Sequence, residues 1–209
     1  MLEVIPFVYT NDPDDLCSNT YIVIDEDNNC VVIDPSSTKD GVKNYIVREK
    51  LNLKAILLTH GHVDHFKGAK NLIDEFNSPV YIASEDAEFL TSPYCNCSMF
   101  MGEDITLDVT PEILFEGDKL SFLNDELEVI YTPYHTSGSV CFYSKVNNGL
   151  FTGDSLFKGC VGRSDLPGSK PRQITKSLGK LFVLPEETKV YPGHGPFTTI
   201  KNEKNNRYF

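Results

Sequence analysis

Positive charge is scarce in this 209-residue chain: 19 lysines and arginines stand against 30 aspartates and glutamates, a formal net charge of −11. A phosphate backbone would meet a repelling field, so no nucleic-acid partner is expected. No apolar run approaches the roughly 18–20 residues that a membrane span needs, so no membrane role is expected either. The opening Met1-Leu2-Glu3-Val4-Ile5-Pro6 has no basic stretch and no long apolar stretch. A secretory signal is therefore not expected, and a cytoplasmic location is. Low-complexity segments are absent. The six cysteines are Cys17, Cys30, Cys95, Cys97, Cys141 and Cys160. Without export, reduced thiols are expected rather than disulfides. Cys95-Asn96-Cys97 has no second cysteine pair nearby, and both thiols read as small loop or core residues. Cys160 follows a candidate ligand but is assigned no catalytic role.

Histidine is scarce too, and none of the five is spare. His60, His62 and His65 fall within six residues, in Thr59-His60-Gly61-His62-Val63-Asp64-His65. His135 follows a strand-like segment ending Tyr131-Thr132-Pro133, and His194 lies in Tyr191-Pro192-Gly193-His194-Gly195. Imidazole is the commonest protein ligand for zinc and related metals, which makes hydrolytic metal chemistry the first hypothesis.

The chain reads as one domain over residues 1–209, with segments that switch between strand and helix spacing. Strands are expected at Val4–Tyr9, Thr20–Ile24 and Cys30–Ile33, the last two joined by the turn Asp25-Glu26-Asp27-Asn28-Asn29. Helical spacing follows over Asp40–Leu51. Ala55–Leu58 is a short apolar strand leading into the histidine cluster. Lys67–Phe76 reads as helix, Pro79–Ile82 as strand and Ser84–Leu90 as helix. Thr91–Pro111 reads as a covering loop, because Tyr94, Met99, Phe100, Met101 and Ile105 are spread through it. The second half holds strands at Ile113–Phe115, Leu120–Leu123, Leu127–Tyr131, Val140–Ser144 and Leu150–Thr152. A helix at Gln173–Val183 and a strand at Lys189–Tyr191 complete it. Each half runs strands, helix, strand, which suggests two sheets packed face to face with helices outside. The tail from Lys201 is expected to be partly ordered by Tyr208 and Phe209.

His60 and His62 are two residues apart after a strand, so they belong on a loop rather than on the i, i+4 face of a metalloprotease helix. Gly61 is expected to supply the backbone angles that turn both imidazoles to one point. Asp64 and His65 follow in a different chain direction, which suits a second metal a few ångströms away. Two cations need a bridging anion, and Asp154 offers one at the end of Leu150–Thr152. Asp34, ending Val31-Val32-Ile33, is a candidate to orient a ligand histidine. A lone histidine is usually a surface or core residue, and Asp154 alone could be a turn residue. Their joint occurrence at strand ends argues for a binuclear site. Two divalent ions would also invert the local charge, so an anionic substrate is compatible with the acidic chain.

Thr-His-Gly-His-Val-Asp-His, His135-Thr136, Gly153-Asp154 and Pro192-Gly193-His194-Gly195 resemble the metallo-β-lactamase superfamily. Asn19-Thr20-Tyr21, Val32-Ile33-Asp34-Pro35, Asp154-Ser155-Leu156-Phe157, Gly162-Arg163-Ser164-Asp165-Leu166-Pro167-Gly168 and Gly195-Pro196-Phe197-Thr198-Thr199-Ile200 resemble its small glyoxalase II-like hydrolases. The resemblance covers nearly the whole chain. It implies a four-layer αββα sandwich of class α+β, two mixed sheets flanked by helices, with metals at one edge. It assigns His60, His62 and His135 to one metal and Asp64, His65 and His194 to the other, with Asp154 bridging. Asp64 and Asp154 are the side chains expected to matter for catalysis. Tyr134 stands where glycine usually precedes the histidine, and is expected to narrow the pocket. Full-length glyoxalase II enzymes add a helical C-terminal domain that helps bind glutathione, and the fifteen residues after His194 are expected to lack it. Lys158, Arg163 and Lys170 are candidates to grip an anionic thiol carrier.

The chemistry so implied is hydrolysis of a thioester, such as an S-2-hydroxyacyl-glutathione or a related thiol conjugate, by water activated between two cations. Zinc is the first expectation, with iron or manganese compatible with nitrogen and oxygen ligands. A persulfide dioxygenase with a single iron, a lactonase and a non-enzymatic metal-binding structural protein are the rivals. A β-lactamase fits less well without an export signal, and the superfamily's ribonucleases are usually longer and less acidic. Oligomeric state has no sequence signature here.

Overall fold

The structure, a computed structural model, describes residues 2–8, 17–206 and 208. Among the described residues, twelve strands form two six-stranded mixed sheets. The first holds β1 (Glu3–Phe7), β2 (Thr20–Ile24), β3 (Asn29–Ile33), β4 (Asn52–Leu57), β5 (Val80–Ala83) and β6 (Glu112–Leu114), in chain order. The pairs β1–β2 and β2–β3 are antiparallel, whereas β3 through β6 run parallel. The second holds β7 (Lys119–Leu120), β8 (Leu127–Tyr131), β9 (Val140–Ser144), β10 (Gly149–Gly153), β11 (Lys189–Pro192) and β12 (Thr198–Thr199), in the order β12-β11-β10-β9-β8-β7. Its one parallel pair is β10–β11.

The central strands bury both faces, which is why they read as continuous apolar runs. In β3, Val31 and Ile33 join the core between the sheets, while Cys30 and Val32 point to the helices outside. In β9 the same alternation sends Val140 and Phe142 inward and Cys141 and Tyr143 outward. Helices α1 (Gly41–Arg48) and α3 (Ala69–Phe76) contribute Val42, Ile46, Ala69 and Leu72 to the outer core of the first sheet. Helices α4 (Ile174–Leu181) and α5 (Ile200–Lys204) cover the second with Leu178, Leu181 and Ile200. The four-layer αββα arrangement is the one expected.

Several local expectations shift. The strand expected to run to Tyr9 ends at Phe7, and Tyr9 lies outside the described residues, as does Phe209. A four-residue helix α2 (Val63–Phe66) precedes α3, so Asp64 and His65 sit on helix rather than ahead of it. Ser84–Thr91 is a 3₁₀ helix, and the cover contains a second one at Ser98–Met101. Pairing in the second sheet spans Lys119–Leu120 and stops before Leu123, which turns into the inter-sheet core. Gly61 is not in the left-handed region. It is required for space: a Cβ there would lie 2.5 Å from Cβ of Phe89.

Candidate metal centre

Each candidate residue follows the carboxyl end of a strand, at the shared edge of the two sheets where open α/β folds place ligands. Asp34 follows β3, His60 and His62 follow β4, His135 follows β8, Asp154 follows β10 and His194 follows β11. Hydrogen bonds stitch the two sheets together at this edge. The Val140 amide donates to the Thr59 carbonyl at 2.8 Å, and the Asn19 amide to the Gly193 carbonyl at 2.6 Å. Asn19 Nδ2 donates at 3.0 Å to the carbonyls of Pro192 and Gly195, holding the His194 loop from both sides. Gly153 takes φ +47, and a Cβ there would lie 2.2 Å from Thr59 Oγ1. Only glycine lets β10 approach β4 so closely.

Three groups of ligand-type atoms converge: His60, His62 and His135; His60, His65 and Asp154; and Asp64, His65 and His194. In the first, His62 Nδ1 lies 3.1 Å from His60 Nε2 and 2.9 Å from His135 Nε2. The outward nitrogens of His60 and His135 are committed elsewhere. Thr59 Oγ1 donates to Asp34 Oδ2 at 2.7 Å, so it can accept the proton of His60 Nδ1 at 3.1 Å. His135 Nδ1 donates to the Arg163 carbonyl at 2.7 Å. The hydrogen-bond network thus fixes the tautomers of His60 and His135, whose bare Nε2 atoms both face His62 Nδ1. Lone pairs so close repel one another unless a cation lies among them.

The second grouping repeats this logic with carboxylates. His65 Nδ1 donates to Asp34 Oδ2 at 2.8 Å, turning Nε2 toward Asp154 Oδ1 at 3.3 Å and Asp64 Oδ2 at 3.7 Å. His194 Nε2 lies 3.1 Å from Asp64 Oδ2 and 3.7 Å from Asp154 Oδ1. The other oxygen of Asp154 lies 3.4 Å from His135 Nε2, so this carboxylate faces both clusters. Among the described residues, four buried side-chain polar atoms have no hydrogen-bond partner, and three of them are His62 Nε2, His65 Nε2 and Asp154 Oδ1. Buried polar atoms are normally satisfied, and the orphaned His65 Nε2 and Asp154 Oδ1, which face each other at 3.3 Å, fit a metal site.

Charge at the site is set by burial and crowding. Burial pushes His60 well below the ordinary histidine value, and His65, His135, His62 and His194 add to the effect. Burial and His135 bring His62 down to about 3, against the pull of Asp64 and Asp154. Neutral imidazole is the form that binds metal. Burial opposes protonation of His65, but Asp64, Asp34 and Asp154 outweigh it and hold its value well above the ordinary one. Burial likewise opposes ionisation of Asp154, yet the histidines around it, His65 foremost, keep it below the usual carboxylate range.

One buried carboxylate here has no counterpart in the sequence reading. Asp86, in the 3₁₀ helix after β5, is fully buried. Its Oδ2 accepts from the Gly61 amide at 3.0 Å and Thr136 Oγ1 at 2.6 Å, and its Oδ1 from the Gly138 amide at 2.7 Å. It therefore joins the loop carrying His60 and His62 to the loop carrying His135. Position was the available signal, since Asp86 follows the end of β5 much as Asp34 follows β3. Tyr134 does not narrow the pocket. It is fully buried in the outer core of the second sheet, and its hydroxyl donates to the carbonyls of Asp154 and Ser155. The cavity over the clusters is lined by Arg163 and Cys97, whereas Lys158, Lys170, Cys95 and Cys160 lie outside its lining. None of the six cysteines forms a disulfide.

Fold and site together define a chain whose inter-sheet edge gathers imidazoles and carboxylates in a pattern that fits metal ions. The protein belongs to the metallo-beta-lactamase superfamily, whose family model matches residues 14–194. It is 34% identical over 195 residues to the probable metallo-hydrolase YqgX of Bacillus subtilis, covering 92% of each chain. It is 32% identical over 194 residues to the hydroxyacylglutathione hydrolase GloC of Haemophilus influenzae, covering 91% of this chain and 92% of that one. Among solved structures, the BLEG-1 B3 metallo-beta-lactamase superposes with a TM-score of 0.89 at 33% identity, over 99% of this chain and 97% of that one. TTHA1623 in a di-iron-bound form gives 0.85 at 35% identity, over 96% and 98%. Among the described residues, no helix is long and apolar enough to cross a membrane.

Proposed function

We propose that residues 1–209 form one metallo-hydrolase domain that holds two divalent cations and cleaves thioesters. His60, His62 and His135 would hold one ion, and Asp64, His65 and His194 the other, with Asp154 between them. The observation that carries this reading is the pair of oxygens of Asp154, one facing each cluster, beside the unpartnered Nε2 of His65. Bound divalent ions supply Lewis acidity and activate water for attack on an acyl carbon. The protein's own part is placement. Asp34 and Thr59 fix the rings of His60 and His65, the Arg163 carbonyl fixes His135, and Asp86 holds two ligand loops at a set distance. No serine, cysteine or other side-chain nucleophile is needed in this scheme.

Thioesters are favoured as substrates by the likeness to GloC over nine-tenths of both chains, together with a cavity of about 980 Å³ above the clusters. Zinc suits the donor set, and the di-iron form of TTHA1623 makes iron the first alternative. The test is hydrolysis of a panel holding thioesters, a lactone, a β-lactam and a persulfide, by protein of measured metal content. Thioester turnover with two ions per chain is expected. Turnover of the β-lactam alone, or of the persulfide with one iron per chain, would overturn the assignment. Inertness of fully loaded protein toward the whole panel would leave a metal-binding structural protein.

A further inference from the structure

The cavity above the clusters has a polar floor and apolar walls. Its floor is His62, Asp64, His135, Asp154 and His194. Its apolar lining comes from the cover, through Tyr94, Phe100 and Met101, and from Phe157, Leu166 and Pro167. Phe100 is 60% exposed and Tyr94 53%, with ring centroids 5.7 Å apart. Grouped, exposed aromatic surface at the mouth of a polar site marks a place where a ligand's apolar part is taken out of water.

These side chains are held in place. Asn96, fully buried in the cover, donates through Nδ2 to the carbonyls of Phe89 at 3.0 Å and Ile105 at 2.9 Å, and its Oδ1 accepts from the Ser98 amide at 2.9 Å. Its own carbonyl accepts from the Val63 amide at 3.0 Å. The cover is thereby bonded to the first residue of α2, the helix that carries Asp64 and His65. The apolar wall and the metal clusters keep one spacing.

Among the described residues, the side chains lining the same cavity offer no free positive charge. Arg163 is the one lysine or arginine among them. Its guanidinium is paired with Asp165, Nε to Oδ1 at 2.6 Å and Nη2 to Oδ2 at 2.8 Å. Away from the proposed metal ligands, a thiol carrier bearing carboxylates, such as glutathione, would meet a cation already paired with Asp165.

We infer that the site prefers thioesters whose arm beyond the scissile bond is apolar and uncharged, over thioesters of glutathione. The arm lies against the apolar lining of the cover and of Phe157, Leu166 and Pro167. The inference rests on the proposed thioester hydrolysis, and its test separates the two. Binding of S-alkyl thioethers, which cannot be hydrolysed, is measured by calorimetry on the metal-loaded chain, with N-acetylcysteamine and glutathione as the two carriers. In parallel, kcat/KM is measured for matched acyl thioesters of both carriers. The neutral series is expected to bind about tenfold tighter than the glutathione series. Affinity should rise about fourfold per methylene until the wall is covered, the scale of burying one methylene. Phe100→Ser and Met101→Ser, both at exposed positions, should flatten that slope while metal content and Tm stay unchanged. A glutathione preference, or affinity independent of chain length, overturns the inference even if thioesters are cleaved. Chain-length-dependent binding without any thioester cleavage supports the apolar subsite and sinks the thioesterase reading instead. If Phe100→Ser converts a dimer to a monomer in sedimentation while leaving thioether binding intact, the patch is a self-association surface and the inference is overturned.

Discussion

The two clusters are built from different material. The one of His60, His62 and His135 is all imidazole, and its residues are 1%, 4% and 2% exposed. Its members come from loops on separate sheets, and Asp86 ties those loops together. The cluster of Asp64, His65 and His194 includes a carboxylate, and the side chains of Asp64 and His194 are 23% and 39% exposed. Its His194 loop is held by Asn19 from the edge of the first sheet. A dry, all-imidazole triad braced by a buried carboxylate should keep a cation longer than a half-open one that includes a carboxylate. In the proposed scheme the first cluster anchors and the second exchanges.

The comparison breaks most sharply at the group both clusters share. Asp154→Ala should release both ions and lower hydrolysis by on the order of 10³-fold or more, because it removes a member of a unit that works as a whole. Elemental analysis beside the rate assay checks this, and full activity with two ions retained would end the binuclear scheme. His194→Ala should separate the clusters, leaving about one ion per chain with the first site filled. Loss of both ions, or of neither, would show that the clusters are not the distinct units their burial implies.

Asp86→Ala should act on the other side of the comparison. Loss of a residue that orients ligands typically costs about 10–100-fold in metal affinity. The loss should fall on the first site and spare the second, read by competition with a chelator of known affinity. Asp86→Asn can keep one acceptor for the Gly61 amide and Thr136, and should lose less. Equal weakening of both sites would make Asp86 a general stabiliser instead.

The smallest effect belongs to Glu203, a control away from either cluster. It is buried, and accepts from Thr198 Oγ1, the Tyr208 hydroxyl, the Gly159 amide and Asn206 Nδ2. Burial raises its pKa, but these hydrogen bonds outweigh burial and hold it below the ordinary value of 4.5. A carboxyl whose folded value is depressed stabilises the fold above its unfolded value, and that stability is lost as pH falls through the folded one. Glu203→Gln should therefore cost about 1–3 kcal/mol near neutral pH, the scale of charged hydrogen bonds. The gap in Tm between variant and parent should close in acid, with metal content unchanged throughout.

Much of this molecule is legible in its residue order. The short apolar, β-branched and aromatic runs of β2, β3, β8 and β9 announce strands because both of their faces are buried between two cores. Thr59-His60-Gly61-His62-Val63-Asp64-His65 announces a ligand cluster because few other needs would place three imidazoles in six residues. Harder to read were residues whose meaning depends on a partner far along the chain. Asp86 stands beside Glu85 and near Glu88 in an acidic stretch that looks solvated, yet it is fully buried against loops 25 and 52 residues away. Tyr134 adjoins a candidate ligand, but its ring turns into the core, because side-chain direction follows local backbone geometry that sequence does not display. Gly61 was legible as necessary, and the reason was not: the neighbour that excludes a Cβ is Phe89, 28 positions later.

By itself, the sequence determined the two-sheet plan and the seven residues proposed as ligands. Those depend on local periodicity and on residue types few in number. Only the tertiary structure decided which nitrogen of each histidine faces inward, and that the cavity above them has apolar lining and one already paired cation. The physical reason is range. A strand or a histidine run is specified by neighbours a few residues off, whereas tautomer, bridging and pocket polarity are set by contacts that exist only after both sheets have met.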